Sequence, residues 1–175
     1  MPSRDFAAFD PLTLLTALHE VEYLVVGGFA AVLYGAPTVT GDLDIMPRPD
    51  DENIHLLATV LVALNTEVRE PRSSGRHLPV DADLLRQTAQ TARHGGQLRT
   101  RTSAGPLDIL WRLHDGRGYA DLVGGSVVLE EDELRVRAIG LDDLIAVKTA
   151  VDRPQDRAAL PYLHEIRRRH TPGRT

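Results

Sequence analysis

Residues 25–45, VVGGFAAVLYGAPTVTGDLDI, decide the fold. An apolar run ends at Gly27-Gly28. The segment FAAVLYG then has helix-compatible spacing and stops at Gly35, with Pro37 close behind, and a second short run carries Asp42 and Asp44. The order reads strand, glycine turn, helix, strand. Side chains alternate along a strand, so Leu43 and Ile45 point into the core while Asp42 and Asp44 share the opposite face. Neighbouring anions on a rigid strand repel each other. Unless water screens them fully, the placement raises a pKa or demands a cation.

The flanking sequence supplies the rest of the layer. PLTLLTALHE (11–20) reads as a short helix with Pro11 near its first turn, and EYLVV as a buried strand. Asp50 or Asp51 is placed to cap a helix carrying Ile54, Leu57, Val60, Leu61 and Leu64 at helical spacing. REPRSSGRH reads as loop, residues 81–92 as a helix terminated by RHGG, and QLRTRTS with PLDILW as a strand pair around AGP. SVVLEEDELRVRAI alternates as a hairpin turning at EED. LDDLIAVKTAVD forms a helix after Gly140, and Pro154 opens a further helical segment to about Arg169, which Pro161 is expected to kink or split. These elements predict an α+β fold with a mixed sheet.

A chain of 175 residues is most simply one domain, here a core over about 12–135 and a helical segment over about 140–170. Hydrophobic residues make up 42% and charged residues 26%, which excludes the disordered and fibrous classes. The absence of cysteine removes disulfides, thiolate catalysis and thiolate zinc sites, and it fits a reducing compartment. The seven histidines are scattered, with no H-x-x-x-H pair, so any metal chemistry falls to carboxylates. MPSRDFAAFD lacks a signal-peptide core, and the apolar stretch Tyr23–Ala36 contains glycines and is too short to span a bilayer, so a cytoplasmic protein without a membrane partner is expected. A net charge of -5 argues against wholesale coating of nucleic acid. It leaves room for a local basic patch: between Glu67 and Arg101, arginines 69, 72, 76, 86, 93, 99 and 101 outnumber four acids.

Two readings stand for each motif taken alone. The D-x-D pair is a solvated strand face or a site for a hard cation such as Mg²⁺. The glycine pair allows tight strand-to-helix packing, or lets backbone N–H groups approach a phosphate. Asp108, flanked by Leu107 and Ile109, projects from the opposite face of its strand, as a surface residue or as a third acid. Lys148 lies one turn beyond Leu144 and Ile145, at the end of an apolar stripe, where it can snorkel. Asp156 near the start of the last helix has an ordinary capping explanation.

In combination these residues resemble the signature of the nucleotidyltransferase superfamily, G-[GS] followed by D-h-[DE]-h with h apolar, in the version of the minimal AbiEii and MenT-like toxin-type enzymes. The segment Y-G-x-x-R-x-T-x-D of that group is matched by Tyr34, Gly35, Thr40 and Asp42, with Thr38 where the arginine would stand. That departure removes whatever the arginine contributes, loop support or a phosphate contact, and leaves the acids untouched. The resemblance covers residues 22–46, Asp108 and 141–165; the arginine-rich middle matches no motif. It implies a polymerase beta-like mixed sheet flanked by helices. It also implies Asp42, Asp44 and Asp108 as ligands of two Mg²⁺ ions, with Mn²⁺ as the alternative, and Asp108 as general base. Gly27, Gly28, Thr40, Lys148, Arg153 and Asp156 are then the nucleotide-binding set, with Lys148 also counted among the catalytic residues.

The activity implied is transfer of a nucleoside monophosphate from an NTP to an acceptor hydroxyl with release of pyrophosphate. The acceptor that suits both the resemblance and the arginine patch is RNA, such as the 3′ end of tRNA, with the chain as the toxin of a toxin–antitoxin pair and a cognate antitoxin as partner. The rivals are a small-molecule enzyme of the antibiotic-modifying kind, an antitoxin-like enzyme that modifies a cognate toxin protein, and a non-catalytic nucleotide-binding module.

Overall fold

The computed structural model of the chain describes residues 8–69, 80–92, 96–131 and 134–170. Helix α1 (Pro11–Ala17) opens at Asp10, whose carboxylate accepts from the Thr13 N–H, with Pro11 in the first turn. Strand β1 (Tyr23–Val26) buries Leu24, Val25 and Val26 almost completely, as expected of a strand covered on both faces. Helix α2 (Gly27–Leu33) follows without a break and ends at Tyr34, with Gly35 at φ +87°. Strand β2 (Leu43–Pro47) then pairs antiparallel with β1, placing Val26 opposite Asp44.

Helix α3 (Asp51–Ala63) is capped by Asp50 and buries Ile54, Leu57, Ala58 and Leu61 along one stripe. After β3 (Glu67–Val68) come α4 (Ala82–Thr91), capped by Asp81, and the hairpin β4 (Gln97–Thr102) and β5 (Gly105–Leu110). A single turn α5 (Tyr119–Leu122) leads to the hairpin β6 (Val127–Glu131) and β7 (Leu134–Ala138). Helices α6 (Leu141–Val151) and α7 (Pro154–His170) close the described chain and pack on each other.

The seven strands of the described residues form one sheet in the order β3-β4-β5-β2-β1-β7-β6. The pairs β2–β5 and β1–β7 are parallel and the others antiparallel, so the sheet is mixed, as the sequence predicts. The parallel pairing of β2 with β5 is the step that matters for the site. It sets Leu43, Asp44 and Ile45 beside Leu107, Asp108 and Ile109, two acids flanked by apolar residues in register. No helix among the described residues is long and apolar enough to cross a membrane.

Several sequence expectations shift. Helix α1 ends at Ala17, three residues early; β3 and α5 are too short to leave a periodic signal. Helix α7 runs through Pro161 rather than splitting there. Proline removes one N–H bond, to the carbonyl of Arg157, and both residues are exposed, so water can reach the freed oxygen. Buried Asp156 and Ala159 before the proline and Leu163 after it hold both halves to the core. The REPRSSGRH loop after Arg69, most of RHGG and the centre of the EED turn lie outside the described residues.

Asn53, 2% exposed on α3, fixes the helix to the central hairpin. Its Oδ1 accepts the Glu22 N–H at 2.7 Å, and its Nδ2 donates to the carbonyls of Glu22 at 2.8 Å and Arg48 at 2.9 Å. These two residues flank the β1 start and the β2 end, where Tyr23 faces Pro47. Asn53→Ala strands a buried N–H and a carbonyl and is expected to destabilise the fold by about 2–3 kcal/mol. Urea unfolding checks this, and a loss below about 0.5 kcal/mol would show that the latch is immaterial.

Candidate active site

The glycine pair makes room for the acids. Gly27 adopts φ +65°, a conformation costly for any residue with a Cβ, and a Cβ built there would lie 2.0 Å from Asp44 Oδ2. At Gly28 it would lie 2.7 Å from Thr40 Oγ1. Both positions therefore have a packing reason to be glycine: α2 starts against the strand and the loop that carry the carboxylates. Thr40 Oγ1 in turn donates to Asp42 Oδ1 at 2.8 Å, holding that side chain just before β2 begins. Asp42 thus precedes the strand, rather than sharing its pleat with Asp44 as the sequence suggests.

The acids converge from distant parts of the chain. Asp44 on β2 is directly beside Asp108 on β5, and Asp108 is opposite Arg99 on β4. Burial, with the charges of Asp42 and Asp108 adding to it, pushes the Asp44 carboxyl up to about 7; the Gly28 N–H and Arg153 act against this. Burial and Asp42 also raise Asp108, partly offset by the Thr100 N–H and by the guanidinium groups of Arg69 and Arg99. Gln97 Nε2 donates to Asp108 Oδ2 at 2.8 Å, while Asp108 Oδ1 is buried with no hydrogen-bond partner.

A buried carboxylate oxygen without a donor calls for a proton or a cation. The donor set is all oxygen, the chemistry that suits Mg²⁺ or Mn²⁺. Among the described residues no three histidine or acid side chains stand close enough to enclose one ion as they are placed. The acids line one cleft side by side, repelling one another, and in this sense the residues fit a divalent cation.

The opposite wall comes from α6 and α7. Lys148, the single lysine of the sequence, is 5% exposed, and its Nζ reaches Asp156 Oδ1 at 2.9 Å. Arg153 Nε reaches Asp156 Oδ2 at 2.8 Å. Burial of Asp156 pushes its carboxyl upward, but the bonds from Arg153 and Lys148 outweigh this and hold it below the usual carboxylate range. Lys148 therefore does not end a stripe by snorkelling to water; it is locked in a buried ion pair.

These walls enclose a cleft of about 510 Å³. Gly28, Thr40, Asp42, Asp44, Asp108, Lys148, Arg153 and Asp156 all line it, as does Thr38. Of the residues singled out in the sequence only Gly27 is not on the wall; it lies behind Asp44. Arg69, Gln97, Arg99 and Gln155 also line the cleft, and no motif in the sequence marks them. The signal that finds Gln97 and Arg99 is their alternation on the strand paired with Asp108, which becomes readable only once the register is known.

The sheet order, the flanking helices and the acids beside α2 together define a nucleotidyltransferase-type fold. A provisionally assigned nucleotidyltransferase of Thermotoga maritima, known from a crystal structure, superposes with a TM-score of 0.51 at 16% identity, covering 93% of this chain and 99% of that one. The solution structure of the antibiotic-resistance factor ANT(2″)-Ia is a looser match, with a TM-score of 0.47 at 16% identity and 90% of each chain covered. No protein-family model matches the sequence, and no match was found among curated proteins.

The raised Asp44 carboxyl has a measurable consequence. Its folded pKa of about 7 exceeds the ordinary 3.8, so in this window the folded protein holds a proton that the unfolded chain has released. Its contribution to stability is therefore lost as pH rises from about 4 to about 7 and changes little above that. In divalent-free buffer Asp44→Asn is expected to melt higher than wild type at pH 8, with the two converging near pH 4. Thermal melts across that range test it, and parallel curves would refute the assignment.

Proposed function

We propose that the chain is a metal-dependent nucleotidyltransferase that moves a nucleoside monophosphate from an NTP to an acceptor hydroxyl, with RNA such as the 3′ end of tRNA as acceptor. Its biological setting in this reading is the toxin of a toxin–antitoxin pair, with a cognate antitoxin as partner. The observation that carries the chemistry is the meeting of Asp42, Asp44 and Asp108 in one cleft, with a buried Asp108 oxygen that lacks a donor.

Asp42, Asp44 and Asp108 would hold two Mg²⁺ ions, with Mn²⁺ as the alternative. When bound, such ions neutralise the charge that builds on the phosphates and on the departing pyrophosphate. The protein's own groups do the positioning. Asp108, its carboxylate oriented by the bond from Gln97, is the base for the proton of the attacking hydroxyl. The acceptor oxygen forms a bond to the α-phosphorus as the bond from that phosphorus to the β-phosphate oxygen breaks. Gly28 leaves the wall beside the acids bare, so a triphosphate can come close to the backbone there, and Thr40 keeps Asp42 turned toward it. Lys148 and Arg153, oriented by Asp156, put positive charge on the same side. With Thr38 where the toxin-type group has an arginine, Lys148 and Arg153 are the cations of α6 and of the α6–α7 junction that line the cleft.

The test is incubation of the purified protein with each of four α-labelled NTPs and, separately, total RNA, protein acceptors and aminoglycosides. Label is expected on RNA, and EDTA is expected to abolish it. Asp44→Ala and Asp42→Asn are each expected to lower transfer by at least about a thousandfold while the fold persists. Undiminished transfer in EDTA, or in the double variant, ends the mechanism. Label on an aminoglycoside or a protein alone would replace the acceptor.

A further inference from the structure

Arg69 and Arg99 differ from the other cations of the cleft: their charges act on Asp108 only through space. Lys148 and Arg153 are committed to Asp156, whereas neither Arg69 nor Arg99 makes a side-chain hydrogen bond or ion pair within 4 Å of its nitrogens among the described residues. They are also adjacent. Glu67 pairs with Arg101 and Val68 with Thr100, so Arg69 follows opposite Arg99, and its N–H donates to the Arg99 carbonyl at 2.8 Å. Residues opposite each other across an antiparallel pair share a face with Cβ atoms about 4.5–5.5 Å apart, and like charges there are destabilising. Thr100, between Arg99 and Arg101, is fully buried, which leaves Arg99 on the open face of the sheet. Two exposed guanidinium groups from cross-strand neighbours that line the cleft are suited to an anion.

Their position says which anion. Arg99 is the cross-strand partner of Asp108, the residue read above as the base for the acceptor hydroxyl, and lies on the far side of Asp108 from β2. Lys148, Arg153 and the bare Gly28 wall belong to the other side, on α6, the α6–α7 link and α2. The arginines therefore face the acceptor rather than the NTP. We propose that Arg69 and Arg99 form a subsite for a phosphate ester of the acceptor, the backbone phosphate next to its attacking hydroxyl in a single-stranded RNA end. This rests on the transfer reading for its orientation. It also bears on the choice of acceptor: a polycationic aminoglycoside needs carboxylates on this wall, and the wall presents guanidinium groups.

The experiment compares wild type with R69Q/R99Q, and with R69K/R99K as the charge-retaining control. Both residues are exposed, so any shift in melting temperature should be small. Fluorescence anisotropy with a labelled single-stranded RNA is expected to show about tenfold weaker binding by R69Q/R99Q, uniform across sequences, with a salt slope shallower by about 1. R69K/R99K is expected to keep most of that slope. In transfer assays the KM for RNA should rise while the KM for NTP stays unchanged. Competition by a nucleoside 5′-monophosphate against the unphosphorylated nucleoside separates the sources: inhibition by the monophosphate assigns the subsite to any phosphate ester, and competition by RNA alone to a polynucleotide. Unchanged RNA binding and slope, or a rise confined to the KM for NTP, overturns the subsite. Arginine-dependent RNA binding without transfer leaves the subsite standing and sinks the enzyme reading; transfer to RNA that is indifferent to both arginines does the reverse.

Discussion

The carboxylate of Asp44 lies so close to Gly27 that no β-carbon fits between them, and the cleft is organised around that approach. Helix α2 can start at the end of β1 only because Gly27 takes a left-handed conformation, and it can sit against β2 only because neither Gly27 nor Gly28 has a side chain. The arrangement leaves an acid partly desolvated next to two more. Desolvation opposes the charged form, and so does each neighbouring anion, so the acids favour a proton or a cation as company.

The second organising contact is the buried pair between Lys148 and Asp156. Burying two charges is expensive unless the geometry satisfies both. Here Asp156 receives Lys148 on one oxygen and Arg153 on the other, and the three span the junction between α6 and α7. Lysine suits the site as a compact charge at the end of a stem packed between two helices, where the wide fork of an arginine would need more room. The pair thus anchors the α7 start to the cleft. Helix α6 buries Leu144 and Ile145 and packs on α2 and α7, and Tyr34, at the α2 terminus, donates to the carbonyl of Ile139 just before it. Both ends of α2 are therefore tied to the elements that carry the site.

Much of this was legible in the sequence because it was local. The strand–glycine–helix–strand order followed from punctuation by Gly27, Gly28, Gly35 and Pro37, and Asp50, with Asp51 as the alternative, was visible as an acid before apolar periodicity. Asp108 could be singled out because Leu107 and Ile109 mark it as the odd residue of a buried strand. Arg69, Gln97 and Arg99 could not: exposed polar residues on a half-buried strand look the same whether they face solvent or a cleft. Pro161 misled in the other direction, since its usual effect on a helix is overridden by the packing of residues on either side.

The sequence by itself determined most of the strands and helices, and that Asp44 would be set in a central strand beside a glycine turn, because these depend on neighbours a few residues away. Only the tertiary structure decided that β5 lies parallel to β2 in the register that puts Asp108 beside Asp44, that Lys148 pairs with Asp156, and that Arg69 and Arg99 border the same cleft. Strand order and register are set by how whole faces bury against one another, and a shift of a single residue would turn Asp108 into the core and Ile109 toward the acids.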